Sequence, residues 1–199
     1  MISHRLILAS ASPRRRELLS LICPDFEVVP SGFDESNMPS DLSPKDHVIM
    51  SAKEKAQDVT AKVTDGIVIG SDTVVSVDEQ ILGKPQDECD AARMLRMLSG
   101  RTHHVYTGIH VIDIRKDERR ERSDFECTDV RFRELTDRMI ERYIATGEPM
   151  DKAGAYAIQG RGSVLIKGIS GCYFNVVGLP VYKLGLILEE FGLEALTCR

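Results

Sequence analysis

The sequence predicts an α/β domain built around a mixed twisted sheet that is flanked by helices. β-branched runs alternate with segments of helical periodicity along the chain, a pattern typical of this class. One long pair of strands, 105–114 and 125–133, is separated only by a charged run, so part of the sheet is expected to be antiparallel. With 199 residues, 42% of them hydrophobic, and no linker rich in Pro, Gly or Ser, residues 1–199 are expected to form a single domain.

The first quarter of the chain predicts two strands, over 5–10 and 26–30, and two capped helices. Each helix begins at a Ser-Pro pair, at 12–13 and 43–44. A serine cap satisfies a free backbone amide, and proline at the first helical position has no amide that needs a partner. The second of these helices is expected to continue to about residue 63.

The stretch IVIGSDTVVSV, residues 67–77, joins two β-branched runs through a Gly-Ser-Asp-Thr break. A fully buried strand would continue as apolar residues, so Asp72 is expected where a central strand meets a cleft. Asp72 is therefore the first catalytic candidate. The alternative is a bulge or turn over 70–73 whose aspartate bonds its own backbone.

The rest of the chain predicts alternating strands and helices with short turns. The expected elements are a hairpin over 75–82 that turns at Asp78-Glu79, helices capped by Asp87 and Thr136, strands over 105–114 and 125–133 joined by a solvated tip over 116–124, a strand over 163–169, and a last helix packed through Leu184, Ile187, Leu188 and Phe191.

The start of the first helix has the outline of a phosphate site. Free amides and the positive end of the helix dipole favour an anion, and Arg14, Arg15 and Arg16 follow Ser12 at that place. Cations oppose the dipole at a helix amino terminus, so a bound anion would account for them better than solvent does. A solvated basic helix face is the alternative.

Several other charged residues could line a cleft. Lys55 lies on the core-facing stripe of the second helix, where it either extends to solvent or reaches a cleft. Asp34 and Glu35 are adjacent carboxylates that could hold a divalent cation, although an exposed acidic turn is the more frequent outcome. Lys84 lies in a Gly-Lys-Pro turn near the end of the predicted sheet, or it is an ordinary loop lysine.

The stretch EPMDKAGAYAIQGRG, residues 148–162, is dense in Gly and Ala. Small residues let a ligand or a second backbone approach closely, which makes Asp151, Lys152 and Gln159 candidate pocket groups. A plain packing turn is the alternative.

Composition excludes several classes of function. A net charge of −5 argues against broad nucleic-acid binding, and no run approaches the roughly 20 apolar residues that span a membrane. Five scattered cysteines without CxxC spacing indicate reduced thiols in the cytoplasm, and the pair His103-His104 lacks a third ligand at metal spacing. GxxxxGK[ST], GxGxxG, HExxH and GxSxG are all missing. The remaining features suit a phosphoanhydride substrate with a divalent metal.

Six motifs in order resemble the pattern of Maf-like nucleoside triphosphate pyrophosphatases over nearly the whole chain. They are LASASPRR (8–15), IGSDTVV (69–75), GKP (83–85), LSGR (98–101), EPMDKAGAYAIQG (148–160) and NVVGLP (175–180). The resemblance implies hydrolysis of a nucleoside triphosphate to the monophosphate and pyrophosphate, on a fold like that of inosine triphosphatases. It also implies Mg²⁺ or Mn²⁺ as cofactor, and a homodimer.

The resemblance further implies a role for individual residues. The SPRR, GSDT and IQG forms are similar to the branch that acts on dTTP and UTP, including modified pyrimidine nucleotides, whereas a second branch prefers methylated guanosine triphosphate. The implied roles are Asp72 as proton acceptor, Glu35 and Asp72 as metal carboxylates, Ser12, Arg14, Arg15, Lys55 and Lys84 as phosphate-binding groups, and Arg14, Thr73 and Gln159 as the residues that set base preference.

Two other classes of function remain open at this level. The first is a noncatalytic nucleotide-binding regulator of septum formation, which would keep the anion site but would not need Asp72. The second is a nucleic-acid-binding module that uses Arg14, Arg15 and Arg16. The acidic net charge and the lack of an aromatic-basic stripe count against it.

Overall fold

The structure, a computed structural model, describes residues 5–115 and 119–194. Cys198 and residues 116–118 of the predicted tip lie outside the described residues. The chain divides into two compact units, of which the first takes the described parts of Met1–Asp72, Thr107–Glu126 and Gly178–Arg199. The second unit takes Thr73–Tyr106 and Cys127–Val177. The expectation of one domain over 1–199 stays a prediction.

Strands and helices alternate along the described chain. The strands are β1 (Leu6–Leu8), β2 (Glu27–Val28), β3 (Ile67–Val77), β4 (Gln80–Leu82), β5 (Thr102–Asp113), β6 (Arg120–Phe132) and β7 (Ile166–Ser170). The α-helices are α1 (Pro13–Ser20), α2 (Pro44–Thr60), α3 (Glu88–Leu98), α4 (Asp137–Ile144), α5 (Tyr173–Val177) and α6 (Val181–Glu190). Short 3₁₀ turns cover Glu35–Asn37, Glu148–Asp151, Ala153–Ala155 and Gly160–Leu165.

The predicted mixed sheet is confirmed. Among the described residues it has seven strands in the order β2-β1-β3-β5-β6-β7, with β4 paired to β3. In the first unit, β1 pairs in parallel with β2 and with β3, where Ile7 lies opposite Val68. In the second unit, β4 is antiparallel to β3 and β7 is antiparallel to β6. Each unit has its own core, around Ile7, Val59 and Ile112 in the first and around Leu95 and Phe132 in the second.

The predicted helix starts are confirmed by their caps. In each case the cap side chain accepts a hydrogen bond from the amide three residues later, and the cap residues are Ser12, Ser43, Asp87 and Thr136. The predicted hairpin turn is also present, since Asp78 and Glu79 both have positive φ, 50° and 63°. No helix in the described part of the chain combines the length and apolar character that a membrane span requires.

Residues 70–73 are neither a bulge nor a turn, and Asp72 does not lie at the end of a strand. β3 runs without interruption for 11 residues, and Asp72 lies in its middle. Gly70 explains the composition of the break, because a Cβ atom built there would lie 2.1 Å from the Ala52 carbonyl oxygen of α2. The glycine therefore lets α2 lie directly against β3. This close approach brings the side chains of α2 near Asp72.

Several predicted element boundaries also differ from the observed ones. α2 ends at Thr60, whose hydroxyl bonds the Ala56 carbonyl, instead of near residue 63. β2 covers only the two residues that pair with β1. Residues 163–165 belong to a 3₁₀ turn in which the Ser163 hydroxyl bonds the Gly160 carbonyl, so β7 starts at Ile166.

The charged run before residue 125 is predicted to be a solvated tip, but part of it belongs to a strand. β6 already starts at Arg120, so residues 120–124 are strand and not tip. Charged side chains occur at exposed strand positions when they make favourable contacts with neighbouring residues. Here the Arg120 guanidinium lies 4.9 Å from the centre of the Phe191 ring.

Candidate active site

A lysine bridges two carboxylates in the first unit. The Lys55 ammonium donates to Asp72 Oδ1 at 2.7 Å and to Glu35 Oε1 at 2.6 Å. The side chain of Asp72 is 7% exposed and that of Lys55 is 12% exposed, whereas that of Glu35 is 56% exposed. Lys55 therefore does not extend to solvent, and the prediction that it reaches a cleft stays a prediction. We call Glu35, Lys55 and Asp72 the charged cluster.

The helix α2 places Lys55 by its periodicity. His47, Ser51 and Lys55 are spaced four residues apart and form a polar row beside the buried apolar row of Val48 and Ala52. The ring of His47 belongs to the same surroundings, since its Nε2 lies 4.0 Å from Asp72 Oδ2. His47 was not a sequence candidate. The signal that could have identified it is this polar row, which faces the sheet next to an apolar row.

The surroundings of Asp72 keep it ionised. Burial raises the pKa of its carboxyl group, but the charges of Lys55 and Arg15 and the hydrogen bond from Lys55 lower the pKa by more. The net pKa lies below the usual value of 3.8. At neutral pH the group is therefore a carboxylate that can accept a proton or hold a cation.

The start of α1 anchors Arg15. The Ser12 hydroxyl accepts from the Arg15 amide at 3.4 Å, so this hydroxyl serves as the helix cap. The Arg15 guanidinium donates to the Gly178 carbonyl at 3.0 Å and to the Ser10 hydroxyl at 3.3 Å. Burial lowers the pKa of Arg15, and the charges of Asp72 and Glu35 oppose this effect. Arg15 is thus a fixed cation beside the charged cluster, while Arg14 is only partly exposed and Arg16 is exposed.

The adjacent acids Asp34 and Glu35 have different roles in the structure. Asp34 caps the short 3₁₀ turn, and its Oδ1 accepts from the Ser36 amide at 2.9 Å. Glu35 instead turns its carboxylate to Lys55. Both acids lie in an exposed turn, the more frequent outcome for such a pair, but only Glu35 also bonds the lysine.

The remaining sequence candidates lie in the second unit. Asp72 is the last residue of one segment of the first unit, and Thr73 is the first residue of the second unit. Thr73 and Gln159 are partly buried, and Lys84 is exposed. The structure thus brings Arg15, Glu35, Lys55 and Asp72 together within the first unit. Thr73, Lys84 and Gln159 are described within the second.

Two further candidates of the Gly-rich stretch pair with each other. The Lys152 ammonium donates to the Asp151 carboxylate. The Asp151 side chain is largely exposed. Gln159, the third candidate, precedes the turn over Gly160–Leu165, and its side chain makes no cap hydrogen bond there.

Among the residues that the structure describes, two groups of side chains with different chemistry could offer ligands to a metal ion. Glu35 and Asp72 present carboxylate oxygens that already converge on one cation, the Lys55 ammonium, and hard oxygen ligands suit Mg²⁺ or Mn²⁺. In the second unit, ligand atoms of His104, Cys127 and Asp129 lie within 4.8 Å of one another. This nitrogen, sulfur and oxygen set suits zinc instead. Strand β6 contributes Cys127 and Asp129, the second and third members of this set, which the spacing around His104 did not reveal.

Known proteins resemble this chain over nearly its whole length. A dTTP/UTP pyrophosphatase of Clostridium botulinum (strain Okra / Type B1) is 48% identical over 192 residues, which cover 95% of this chain and 98% of that protein. A dTTP/UTP pyrophosphatase of Clostridium acetobutylicum is 48% identical over 199 residues, with 96% and 99% covered.

Among solved structures, a nucleoside-triphosphatase, dITP/XTP pyrophosphatase, from Mycobacterium abscessus is similar with a TM-score of 0.46 and 12% identity, covering 94% of this chain and 96% of that one. The family model described as Maf-like protein matches residues 5–191. Since that match spans most of the chain and the relatives are similar over nearly their whole length, the chain belongs to the Maf-like protein family.

Proposed function

We propose that the protein is a nucleoside triphosphate pyrophosphatase that hydrolyses dTTP and UTP, and modified pyrimidine triphosphates, to the monophosphate and pyrophosphate. The observation that carries the proposal is the charged cluster, in which Lys55 bridges Glu35 and a nearly buried Asp72. Relatives that are 48% identical over 95% of the chain carry the name dTTP/UTP pyrophosphatase, which supports the same activity.

Asp72 accepts the proton of the attacking water in this proposal. Its side chain is 7% exposed, so few water molecules compete for its free oxygen. Its lowered pKa keeps it ionised at neutral pH, and the nearby cations hold that charge in place. A positioned general base contributes about 10²- to 10⁴-fold to a rate.

Asp72 and Glu35 would together hold a Mg²⁺ or Mn²⁺ ion. Their oxygens both lie within hydrogen-bond distance of the Lys55 ammonium, so the place between them already favours a positive charge. Such an ion polarises phosphate oxygens and neutralises the charge that develops on them. When the carboxylates have that partner, the Lys55 ammonium is available to a phosphate group.

The triphosphate is bound by cations and by a helix start. Arg15 is held at the amino terminus of α1, where the helix dipole also favours an anion. Lys55 adds a charge that can move between carboxylate and phosphate. Arg14, Ser12 and the exposed Lys84 complete the proposed phosphate-binding set, in which the Ser12 hydroxyl acts through the helix cap.

Base selection is assigned to Gln159, with Thr73 and Arg14. An amide side chain offers an acceptor and two donors, so it can pair with both the carbonyl and the ring N–H of a thymine or uracil edge. A site built around such bonds penalises a base that leaves them unpaired. The partly buried Gln159 side chain is compatible with this role.

The proposal includes a cytoplasmic, homodimeric protein that binds neither membrane nor nucleic acid. The net charge of −5 and the scattered cysteines support the location and the absence of nucleic acid. The homodimer rests on the family resemblance alone. Light scattering of the purified protein tests it directly.

Purified protein with a panel of nucleoside triphosphates, Mg²⁺ and Mn²⁺ tests the activity. We expect release of pyrophosphate and monophosphate, with dTTP and UTP as the preferred substrates. Diphosphate and orthophosphate as main products would contradict cleavage at the α-phosphorus. Nucleotide binding without turnover would instead favour the noncatalytic regulator.

A further inference from the structure

One carboxylate and one phenol of the same unit bond the backbone of the loop that carries Gln159. Glu148 Oε1 accepts from the Gly162 amide at 2.8 Å, and Glu148 Oε2 accepts from the Arg161 amide at 2.9 Å. The Tyr143 hydroxyl donates to Glu148 Oε1 at 2.9 Å and accepts from the Ala157 amide at 3.2 Å. Backbone amides two residues before and two residues after Gln159 are therefore both held. We call Tyr143 and Glu148 the loop clamp.

The protonation states of the two clamp residues suit these bonds. Burial raises the pKa of the Glu148 carboxyl group, but the amides of Arg161 and Gly162 and the Tyr143 hydroxyl lower it by more, so it is ionised. Burial and the bond to Glu148 raise the pKa of Tyr143, so its hydroxyl keeps its proton. Hydrogen bonds to an ionised acceptor are roughly twice as strong as those between neutral groups. The clamp therefore binds the loop backbone tightly at neutral pH.

Glycine at position 160 is required for this arrangement. Gly160 has a φ of +73°, and a Cβ atom built there would lie 2.6 Å from Glu148 Oε2. The loop can close over the carboxylate only without a side chain at this position. Gln159 itself begins the 3₁₀ turn without using its side chain as a cap. The backbone on both sides of Gln159 is thus fixed, whereas its amide group is left for other partners.

We infer that Glu148 and Tyr143 are positioning residues for base selection, which hold residues 157–162 so that the Gln159 amide faces a pyrimidine base in one orientation. The inference rests on the proposed function. A polar contact contributes to selectivity only when its direction is fixed, because a freely rotating amide can satisfy the edges of several bases. Neither clamp residue needs to touch the substrate.

Two variants and two matched controls test the inference. Glu148→Gln replaces one acceptor oxygen by an NH₂ group that would face backbone N–H donors, and Tyr143→Phe removes the hydroxyl that joins Glu148 to Ala157. The controls are Glu141→Gln on the exposed face of α4 and Tyr182→Phe, whose side chain is 72% exposed. In both clamp variants we expect KM for dTTP and UTP to rise about tenfold and their preference over CTP to fall by a similar factor, with kcat within about threefold. The controls should behave as the wild type.

Amide hydrogen exchange of the same proteins tests whether the clamp holds the loop, independently of whether it affects base selection. In the wild type the amides of Ala157, Arg161 and Gly162 should be protected. Glu148→Gln should lose the protection of Arg161 and Gly162, and Tyr143→Phe that of Ala157. Unchanged protection would overturn the clamp itself. Lost protection with an unchanged substrate ranking would overturn the positioning role. A wild type without any preference for dTTP and UTP over CTP and purine triphosphates would refute the proposed function and the selection role with it, while the exchange data would still decide on the clamp.

Discussion

Asp72 and Glu148 are two carboxylates with lowered pKa values that are held in opposite ways. Asp72 is held by side chains, chiefly the Lys55 ammonium, within the first unit. Glu148 is held by two backbone amides and a phenol within the second unit. A lysine side chain can turn to another anion, whereas a backbone amide cannot leave without unfolding the loop. The difference separates a carboxylate suited to exchanging partners during a reaction from one suited to fixing a loop.

The two sites also differ in what a lost partner would cost. Removing Glu148 would leave two backbone amides and a phenol without their acceptor. The exposed Arg161 amide can bond water instead, but Gly162 and Tyr143 are buried, and an unmade hydrogen bond of a buried donor costs about 1–3 kcal/mol. Removing Asp72 leaves Lys55 with Glu35, so its charge keeps a partner. We therefore expect changes at Asp72 to affect activity, and changes at Glu148 to affect stability and selectivity.

The largest expected effect is the loss of turnover when Asp72, the catalytic candidate of the two carboxylates, is changed. Asp72→Asn should lower kcat by about 10²- to 10⁴-fold with little change in the free energy of unfolding, because an amide neither accepts the proton of water nor offers an anionic ligand. Steady-state kinetics and urea unfolding of the same preparation measure both quantities. Near-normal turnover in folded Asp72→Asn would remove the catalytic assignment.

A substitution at Lys55 tests whether the lysine that bonds Asp72 matters to the reaction. Lys55→Met should lower kcat/KM by about 10²-fold, since it removes a charge that neutralises phosphate oxygens in a poorly hydrated place. Lys53→Met is the matched control, because Lys53 belongs to the same helix but its ammonium lies 3.9 Å from Glu121 and its side chain is 43% exposed. Equal losses in the two variants would show that a general change of charge, and not the charged cluster, is responsible.

A change at Gln159 tests the role in base selection of the loop that Glu148 holds. Gln159→Ala should reduce the preference for dTTP and UTP over CTP and purine triphosphates by about tenfold, while phosphate binding changes less. Arg161→Ala in the same loop is the control, because its backbone amide and not its exposed side chain is held by Glu148. kcat/KM for dTTP, UTP, CTP, ATP and GTP gives the ranking. If a folded Gln159→Ala keeps that ranking and only unfolds more easily, Gln159 braces the turn instead.

The smallest expected effect concerns His103, a buried histidine of the second unit. Burial lowers the pKa of His103 from 6.5 to about 3, and its Nε2 lies 2.7 Å from the Tyr156 hydroxyl. The folded state therefore resists protonation, and the stability that neutral His103 provides is present above pH 6.5 and decreases as the pH falls towards 3. The free energy of unfolding should fall by about 1 kcal/mol or more between pH 7 and pH 5.

His103→Gln keeps a partner for Tyr156 without a titrating ring, and should reduce that dependence on pH. His104→Gln is the control, because His104 is the neighbouring residue and its side chain is half-exposed. Urea midpoints at pH 7 and pH 5 measure the difference. An unchanged pH dependence in His103→Gln would assign the acid sensitivity to other groups, such as the buried His110, whose pKa burial lowers to about 4.

Local signals predicted the parts of the fold that depend on a few neighbouring residues. The Ser-Pro pairs at 12–13 and 43–44 indicated helix starts because a cap bonds an amide only three residues away. The same locality explains the confirmed hairpin at Asp78-Glu79. It also explains the error at 70–73. Gly70 is required by a helix 18 residues earlier in the chain, where Ala52 contacts it, and a local pattern carries no trace of that contact.

By itself the sequence determined the α/β class, the caps and, through six ordered motifs, the family to which the chain belongs. Only the tertiary structure decided which acids take part in the candidate site, because the bonds from Lys55 span 17 residues to Asp72 and 20 residues to Glu35. It also decided that Glu148 holds the loop of Gln159, since two of the amides involved lie 13 and 14 residues away along the chain. Sequence spacing determines which residues share a helix face or a turn, whereas the direction of a side chain towards a distant partner is set by how α2 packs on β3 and how the loop closes over Gly160.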